Sequence, residues 1–442
     1  MHVNTPIMKT IFLRIGIMAT LFFSHGLLAS PNIQHWQTSN GGQVYFVAAD
    51  EIPMVDVRIV FDAGSARDSQ HPAGTALMTN GLLAEGAAGD DAQIITEKFE
   101  RVGAQFGNGA LRDMAWLSLR SLRDDIYLQP ALINLKNILS YPDFPEKAFK
   151  RELKRLQISV ERSKQSPGAI ASRRFYRELY GNHPYAQPSE GTEQSLQKLR
   201  LRDLKDFYKQ YYVAKNAVIA IVGKLTRAEA EKMAEHLLSA LPAGQHAPAL
   251  PSVEPLGKAR TVRIDFPSRQ TTILMGQLGM ARGDPDYYAL YLANHAFGGS
   301  GFGSRLLKEV REKRGLAYSA YSYFSPMRET GPFQIGLQTR NDQTDQTLEI
   351  IHSELNKYIQ QGPDQEELED SLKNITGGFP LRIDSNKKIV EYLSMIGFYN
   401  LPLDYLKTFV GKINQQTVQT VNNALKRRIH PQKMLTVIVG GQ

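Results

Sequence analysis

The chain has 442 residues. This is too long for a single compact core of ordinary size, so the length predicts two or more domains. Apolar residues make up 42% and charged residues 22% of the sequence, a composition typical of a folded protein. The absence of cysteine excludes disulfides, thiol nucleophiles and cysteine-based metal sites. The net charge is +8, but the sequence lacks the basic stripe with aromatic platforms that nucleic-acid binding requires, so we expect no nucleic-acid partner.

The first residues, 1–29, have the pattern of a secretory signal peptide. Lys9 and Arg14 form a short basic region, and a largely apolar run leads to Ala29, which supplies the small residue at a cleavage site. Translation could also begin at Met8. A membrane anchor is the alternative, although the apolar run is short for a bilayer and polar residues interrupt it. No later segment is long and apolar enough to span a membrane, so the sequence predicts a secreted, periplasmic protein.

The rest of the chain is a duplication. The run NAVIAIVG at 216–223 is matched 217 positions later by KMLTVIVG at 433–440. Each is a largely β-branched run closed by glycine, which is typical of a buried strand that enters a turn. GSAR at 64–67 is matched 215 positions later by GMAR at 279–282. Since these matches share nearly one offset, the sequence predicts two domains of similar fold.

The predicted boundaries are an N-terminal domain at 30–240, a linker at 241–260 and a C-terminal domain at 261–442. The linker holds four prolines, which restrict helix and remove backbone donors. Each domain mixes strands with helices, and the neighbouring runs at 43–47 and 55–61 predict a hairpin-like strand pair. The expected fold class is α+β: two similar domains, each a mostly antiparallel sheet with helices, that face each other across a flexible hinge and enclose a chamber.

A long motif in the second domain, HAFGGSGFGSRLLKEVREKRGLAYS, occupies 295–319. A helix is expected after its glycine-rich turn, closed by Gly315 and followed by a strand over 317–324. Taken alone, Arg311 is a surface cation at a helix end and Tyr318 is an ordinary strand aromatic. The glycine cluster lacks the preceding strand and the Gly-Lys-Ser/Thr ending of a phosphate-binding loop.

The stretch SRLLKEVREKRGLAYS at 304–319 resembles the C-terminal-domain signature of the pitrilysin and mitochondrial-processing-peptidase superfamily of zinc peptidases. FDAGSARD at 61–68 and GNHPYAQPSEGT at 181–192 are similar to stretches of the same family. The resemblance runs over nearly the whole chain after the signal peptide. It implies that Arg311 and Tyr318, seven residues apart, hydrogen-bond a peptide substrate and stabilise the oxyanion at the scissile carbonyl.

Active members of that family carry His-x-x-Glu-His on the first helix of the N-terminal domain and a further glutamate about 76 residues on. In the matching segment here, Leu77 and Gly81 take the places of the two histidines and Asn80 that of the glutamate base. Gln157 takes the place of the last ligand. Since none of the four is a usual zinc ligand, we expect no metal on this chain. A zinc site assembled from distant residues is the alternative.

The resemblance therefore implies a non-catalytic subunit of a secreted two-subunit zinc peptidase. The partner, a zinc-bearing subunit of the same family, would receive Arg311 and Tyr318 in trans for a peptide or unfolded-protein substrate. The alternative is a catalytically dead peptide-binding or scaffold protein, which could be a homodimer. Residues 103–113, at the place of the family's substrate-pairing edge strand, contain several glycines, which weakens the expectation that a peptide pairs there. A self-sufficient enzyme with an unrecognised site has little support.

Overall fold

The computed structural model describes residues 31–441. The predicted signal peptide lies outside the described residues. Among the residues described, no helix is both long and apolar enough to cross a membrane. The strands are β1 (Gln34–Gln37), β2 (Gln43–Ala48), β3 (Met54–Phe61), β4 (Gly86–Ala87), β5 (Asp90–Asp91), β6 (Gln105–Ala110), β7 (Ala115–Leu122), β8 (Ala217–Gly223), β9 (Arg260–Ile264), β10 (Gln270–Leu278), β11 (Ala320–Phe324), β12 (Pro332–Arg340) and β13 (Leu435–Val439).

The α-helices occur in both halves of the chain, with a run of five between β7 and β8 and another between β12 and β13. They are α1 (Thr75–Leu82), α2 (Ala92–Glu100), α3 (Asp125–Ser140), α4 (Glu146–Ser163), α5 (Pro167–Tyr180), α6 (Glu193–Lys198), α7 (Leu201–Tyr211), α8 (Arg227–Leu238), α9 (Tyr287–Asn294), α10 (Arg305–Leu307), α11 (Thr344–Gln361), α12 (Gln365–Gly378), α13 (Asn386–Phe398), α14 (Tyr405–Asn414) and α15 (Val418–Arg428). Single π-helical turns extend α9 over His295–Gly299 and α10 over Lys308–Glu312.

Each half of the chain builds one open, mostly antiparallel sheet. The first has the order β1-β2-β8-β3-β7-β6, and the second has the order β11-β12-β10-β13-β9. Only the pairs β2–β8 and β9–β13 within these sheets are parallel. The matched runs of the duplication, β8 and β13, are interior strands of their sheets. The predicted α+β class with two similar domains is confirmed.

The predicted hairpin between 43–47 and 55–61 is wrong, because β8 lies between β2 and β3. β8 runs parallel to β2 and antiparallel to β3. All seven of its residues are buried. A strand that is apolar on both faces is most stable in the middle of a sheet, and that preference outweighs the short connection between the two earlier strands.

Each sheet is covered on one face by a helix that the other domain contributes. α13 of the second domain packs on β8 and β3, and α5 of the first domain packs on β10 and β13. Glycines allow the close approach: a Cβ on Gly397 of α13 would lie 2.5 Å from a methyl carbon of Val218. On the other sheet, a Cβ on Gly276 would lie 3.0 Å from the ring of Phe175 in α5. The two domains therefore interlock.

The segment between the domains is fastened to the first domain. The guanidinium of Arg67 donates to the carbonyl oxygen of Pro248 at 2.6 Å, and the ring of His183 lies 2.9 Å from the carbonyl oxygen of Pro251. These contacts hold the linker against the surface of the first domain. The linker is therefore a packed segment (called the strap below), in contrast to the flexible hinge that we expected.

A buried carboxylate ties the two domains together beside this strap. Asp113, in the turn between β6 and β7, is 4% exposed. Its carboxylate accepts hydrogen bonds from the Tyr185 hydroxyl of the first domain, the Tyr399 hydroxyl of the second at 2.8 Å, and the Arg328 backbone N–H at 2.7 Å. Burial raises the pKa of both tyrosines, so their hydroxyls remain donors at neutral pH.

We expect Asp113→Ala to lower the free energy of unfolding by about 2–4 kcal/mol, because three buried donors lose their acceptor. Urea unfolding followed by circular dichroism measures the change. Asp50→Ala is the control, because Asp50 is an exposed loop residue. Equal effects of the two substitutions would show that the carboxylate does not hold the domains together.

Candidate functional site

The helix that corresponds to the family's metal-binding helix is α1, and a buried carboxylate fixes its start. Asp68 is 3% exposed and accepts hydrogen bonds from the backbone N–H groups of Gly74 and Ala76, each at 2.8 Å. Burial raises the pKa of Asp68 to about 7, and the two N–H groups act in the opposite direction. This contact holds the start of α1 against the 3₁₀ turn Ser65–Gln70, to which Asp68 belongs.

The face of α1 that would carry metal ligands is open but lacks suitable donors. Leu77 is half-buried, and Gly81, one turn later on the same face, is exposed. A Cβ on Gly81 would meet nothing within 4 Å, so a side chain has room there. Gln157, on the α4 helix that packs against α1, is half-buried. An aliphatic side chain, a glycine and an amide do not form a zinc site.

Asn80, at the position of the family's glutamate base, points into the core of the first domain. It is 1% exposed, and its Nδ2 donates to the Trp116 carbonyl oxygen at 3.2 Å and to the Tyr212 hydroxyl at 3.3 Å. Its Oδ1 is buried without a hydrogen-bond partner. Within residues 31–441, no group of three or more histidine, aspartate and glutamate side chains is arranged to hold a metal ion. The zinc that the fold family implies does not fit these residues.

The Arg311 and Tyr318 pair lies in the second domain, where a helix end meets a turn. Arg311 is in the π-helical turn after α10, and its carbonyl oxygen accepts the N–H of Gly315 at 2.8 Å. Gly315 has a φ of +61°, which closes the helix as expected. The strand that follows begins at Ala320, in contrast to the predicted start at 317. Tyr318 is therefore a turn residue, two positions before β11.

The guanidinium of Arg311 lies between two exposed aromatic rings. Its central carbon is 4.9 Å from the ring centre of Phe302 and 4.7 Å from that of Tyr318. Phe302 is 69% exposed and Tyr318 is 81% exposed, the largest exposures of any aromatic residue in the described part of the chain. The neighbouring cations Lys313 and Arg314 pair with Glu309. Arg311 has no salt bridge or hydrogen-bond acceptor for its guanidinium among the described residues.

Phe302 is a site residue that sequence reasoning missed. It lies in the glycine-rich turn, where the sequence offers only one signal, a large apolar residue flanked by glycines. The degenerate metal positions and the Arg311 cluster lie in different domains. No hydrogen bond in the described part of the chain joins the two groups.

The strand β6 forms an open edge of the first sheet beside α1. Its glycines accommodate an aromatic ring on β7: a Cβ on Gly109 would lie 3.0 Å from the indole of Trp116. In an antiparallel pair, every second residue directs its N–H and C=O groups away from the partner strand. On β6 the residues whose backbone groups point outward fall within the segment from Phe106 to Ala110. The Gly107 carbonyl oxygen accepts from the Ser118 hydroxyl at 3.3 Å, and among the described residues no backbone hydrogen bond joins β6 to any segment other than β7.

Two family models match this chain: "Insulinase (Peptidase family M16)" over residues 44–193 and "Peptidase M16 inactive domain" over residues 198–375. A crystal structure of the peptidase M16 inactive domain from Pseudomonas fluorescens is 42% identical, with a TM-score of 0.90, over 93% of this chain and 98% of that one. The chain belongs to peptidase family M16. The resemblance on which the sequence analysis rests is confirmed, and this M16 homologue lacks the zinc ligands of active members.

Two curated bacterial proteins are similar over most of their length to this M16 homologue. The "Non-peptidase homolog YmxG" of Helicobacter pylori is 24% identical over 394 residues, which cover 88% of this chain and 90% of that protein. The "Uncharacterized zinc protease YmxG" of Bacillus subtilis is 25% identical over 398 residues, 89% of this chain and 95% of that protein.

We expect the purified M16 homologue to hold no stoichiometric zinc after dialysis, because its donors do not suit the metal. The variant Leu77→His, Gly81→His, Gln157→Glu should gain about one zinc per chain, since two histidines one helical turn apart restore the ligand pair. Elemental analysis by plasma mass spectrometry measures both. Gly81→Ala alone is the control and should bind none. Tightly held zinc in the unaltered protein would contradict the expectation.

Asp68→Asn tests the buried carboxyl at the start of α1. The pKa of Asp68 is raised above the value near 4 of the unfolded chain, so the folded protein binds this proton more tightly than the unfolded chain does. Proton binding by Asp68 therefore adds to the free energy of unfolding at low pH, and this stabilisation is lost as the pH rises toward 7. The unfolding free energy of the unaltered protein should fall relative to Asp68→Asn by roughly 2–4 kcal/mol between pH 4.5 and 8. Urea unfolding at both pH values measures it. Parallel pH profiles would show that Asp68 stays ionised throughout.

Proposed function

We propose that this M16 homologue is the non-catalytic subunit of a secreted two-subunit zinc peptidase, to which it supplies Arg311 and Tyr318. The observation that carries the proposal is the guanidinium held between two exposed rings with no acceptor of its own among the described residues. A cation arranged in this way, at a protein surface, is available to an acceptor from another molecule.

The aromatic rings fix the guanidinium while leaving its donors free. The central carbon of the guanidinium lies over the rings of both Phe302 and Tyr318, where cation–π attraction contributes about 0.5–2 kcal/mol. No acceptor among the described residues takes its N–H groups, so these donors are free for a carbonyl or carboxylate oxygen of another molecule. Because the arginine is already restrained, less side-chain entropy is lost when it binds a peptide. Aimed at the oxyanion of a scissile peptide, such a donor accelerates the reaction by orders of magnitude.

The metal in this proposal belongs to the partner subunit. Leu77, Asn80, Gly81 and Gln157 offer no zinc ligand, so hydrolysis requires a relative that retains His-x-x-Glu-His. The predicted signal peptide would send this chain to the periplasm, where such a partner would have to be exported as well. This chain would bind and orient the peptide or unfolded-protein substrate, and its donors would stabilise charge in the partner's site.

A second candidate function is peptide binding without hydrolysis. The open edge of β6 favours it, because an extended peptide can add to an exposed strand through backbone hydrogen bonds. The strand lies beside α1, where the missing side chain of Gly81 leaves space over the helix. A scaffold or peptide-holding protein of this kind, alone or as a homodimer, would need neither a metal nor a zinc-bearing partner.

Peptide hydrolysis separates the two candidates. A fluorogenic unstructured peptide is incubated with this chain alone, with a co-encoded zinc-bearing relative alone, and with both. We expect the mixture to exceed the sum of the separate rates. Arg311→Ala should reduce the rate of the mixture about 10²–10³-fold, the usual loss of one oxyanion donor. Tyr318→Phe keeps the ring against Arg311 but removes the hydroxyl, so a loss of rate there isolates the role of the phenol.

Arg314→Ala is the matched control, because Arg314 lies on the same turn but pairs with Glu309. It should leave the rate of the mixture unchanged. Undiminished activity of the Arg311→Ala mixture would refute the assignment of Arg311. Peptide binding by this chain, with no stimulation of any zinc-bearing relative, would favour the binding protein over the auxiliary subunit.

A further inference from the structure

A groove of 330 Å³ lies between the two domains, and Ser319, the residue after Tyr318, lines one end of its wall on the second domain. The α5 helix forms one wall with the small residues Gly168, Ala171 and Ser172, and the sheet formed by β10, β12 and β11 forms the floor. The groove exists because α5 covers the central strands of the second sheet and leaves the margin at β11 and β12 uncovered. None of the side chains that line it is charged.

The floor carries an aromatic platform. A Cβ on Gly336 would lie 2.4 Å from the Tyr321 hydroxyl oxygen, so this ring lies across the backbone of β12 where the glycine has no side chain. Tyr321 is 45% exposed and leaves its other face open. The ring of Tyr323 lies beside it, with centres 5.8 Å apart and an angle of 17° between the planes. The two rings are stacked nearly parallel to each other, and both line the groove.

Beside the platform is a buried hydrogen-bonding group without a partner. Gln334 is 1% exposed, lines the groove, and its Oε1 has no hydrogen-bond partner. A buried acceptor without a donor costs about 1–3 kcal/mol, so a ligand that supplies a donor is favoured there. Gln338 and Thr272, linked to each other at 3.3 Å, add an amide and a hydroxyl nearby.

We propose that this groove binds a neutral saccharide, with a sugar ring lying on the tyrosine platform and its hydroxyls bonded to Gln334 and the surrounding amides and hydroxyls. A sugar ring has C–H groups on its faces and hydroxyls around its edge, which match an aromatic floor with a hydroxyl- and amide-rich rim. The absence of charged lining residues disfavours an ionised ligand, because a desolvated charge would have no partner.

An extended peptide fits this groove less well. β11 is an edge strand, but the Ser322 carbonyl oxygen accepts from Asn294 Nδ2 at 3.1 Å, and the Ser322 hydroxyl donates to Asn294 Oδ1 at 2.8 Å. A side chain thus blocks strand addition at the middle of β11, and recognition in the groove depends on side chains alone.

The corresponding margin of the first sheet does not offer such a platform. Trp116 lies over glycines of β6 there, but the guanidinium of Arg58 covers its ring at 4.1 Å. No cation lies over Tyr321 or Tyr323 among the described residues. The duplicated fold therefore has one closed and one open aromatic margin.

Saturation-transfer NMR and isothermal titration with maltose, cellobiose and N,N′-diacetylchitobiose test the proposal on the full chain. We expect at least one of them to bind saturably, and Tyr321→Ala, Tyr323→Ala and Gln334→Leu each to weaken it about tenfold or more. Tyr141→Ala is the matched control, since Tyr141 is a 51% exposed tyrosine in the first domain. It should leave binding unchanged. Thermal unfolding shows which of these variants are folded. The sugar affinity of any one of the three groove variants that is folded is enough to test the proposal.

No binding of any of the three sugars would overturn the proposal, as would binding that all three variants retain. An acetylated and amidated Ala-Ser-Gly-Ser peptide is titrated in parallel. If it binds and the same substitutions abolish its binding while the sugars stay inert, the groove is a polypeptide site and the saccharide assignment is wrong. Because Ser319 of the groove follows Tyr318, Arg311→Ala is included in the sugar titrations: unchanged sugar binding by that variant separates this groove from the Arg311 cluster.

Discussion

The exchange of helices between the domains is the constraint on which the rest of this structure depends. An open sheet must bury at least one apolar face, and here each sheet buries it against a helix of the other domain, α13 on the first and α5 on the second. Side chains of the first sheet such as Tyr45, Val60 and Val222 consequently belong to the apolar core of the second domain. Neither half completes its core alone, so the duplicated chain behaves as one unit in spite of its linker.

The same exchange decides where binding surfaces remain. A single helix covers the central strands of a sheet and leaves one margin exposed, β6 and β7 in the first sheet and β11 and β12 in the second. Duplication therefore yields two margins of like geometry, and only the side chains distinguish them. The guanidinium of Arg58 lies over the indole ring of Trp116, whereas the side chain of Tyr321 is 45% exposed. The same backbone thus offers a closed platform in one domain and an open one in the other.

The sequence predicts the features that depend on local pattern. The matched runs at 216–223 and 433–440 become interior strands, and Gly315 closes the helix that follows the glycine-rich turn, as predicted. The position of β8 between β2 and β3 depends on pairing across more than 150 residues, which no local pattern encodes. The contact of Phe302 with Arg311 likewise cannot be predicted from the sequence, because an aromatic residue in a glycine-rich turn is not part of a helical or strand periodicity.

The α1 helix at the place of the family's metal site and the Arg311 cluster contribute differently to the stability of this fold. The helix α1 is retained because it packs: Asp68 fixes its first turn and Asn80 bonds into the core, so the fold needs this helix even without a metal. Phe302 and Tyr318 are exposed by 69% and 81%, so they contribute little apolar burial to the stability of the fold. Packing accounts for the residues on α1. It does not account for the Arg311 guanidinium, which lies over two exposed rings and has no acceptor among the described residues, and this contrast is the reason that the proposed function rests on Arg311 and not on α1.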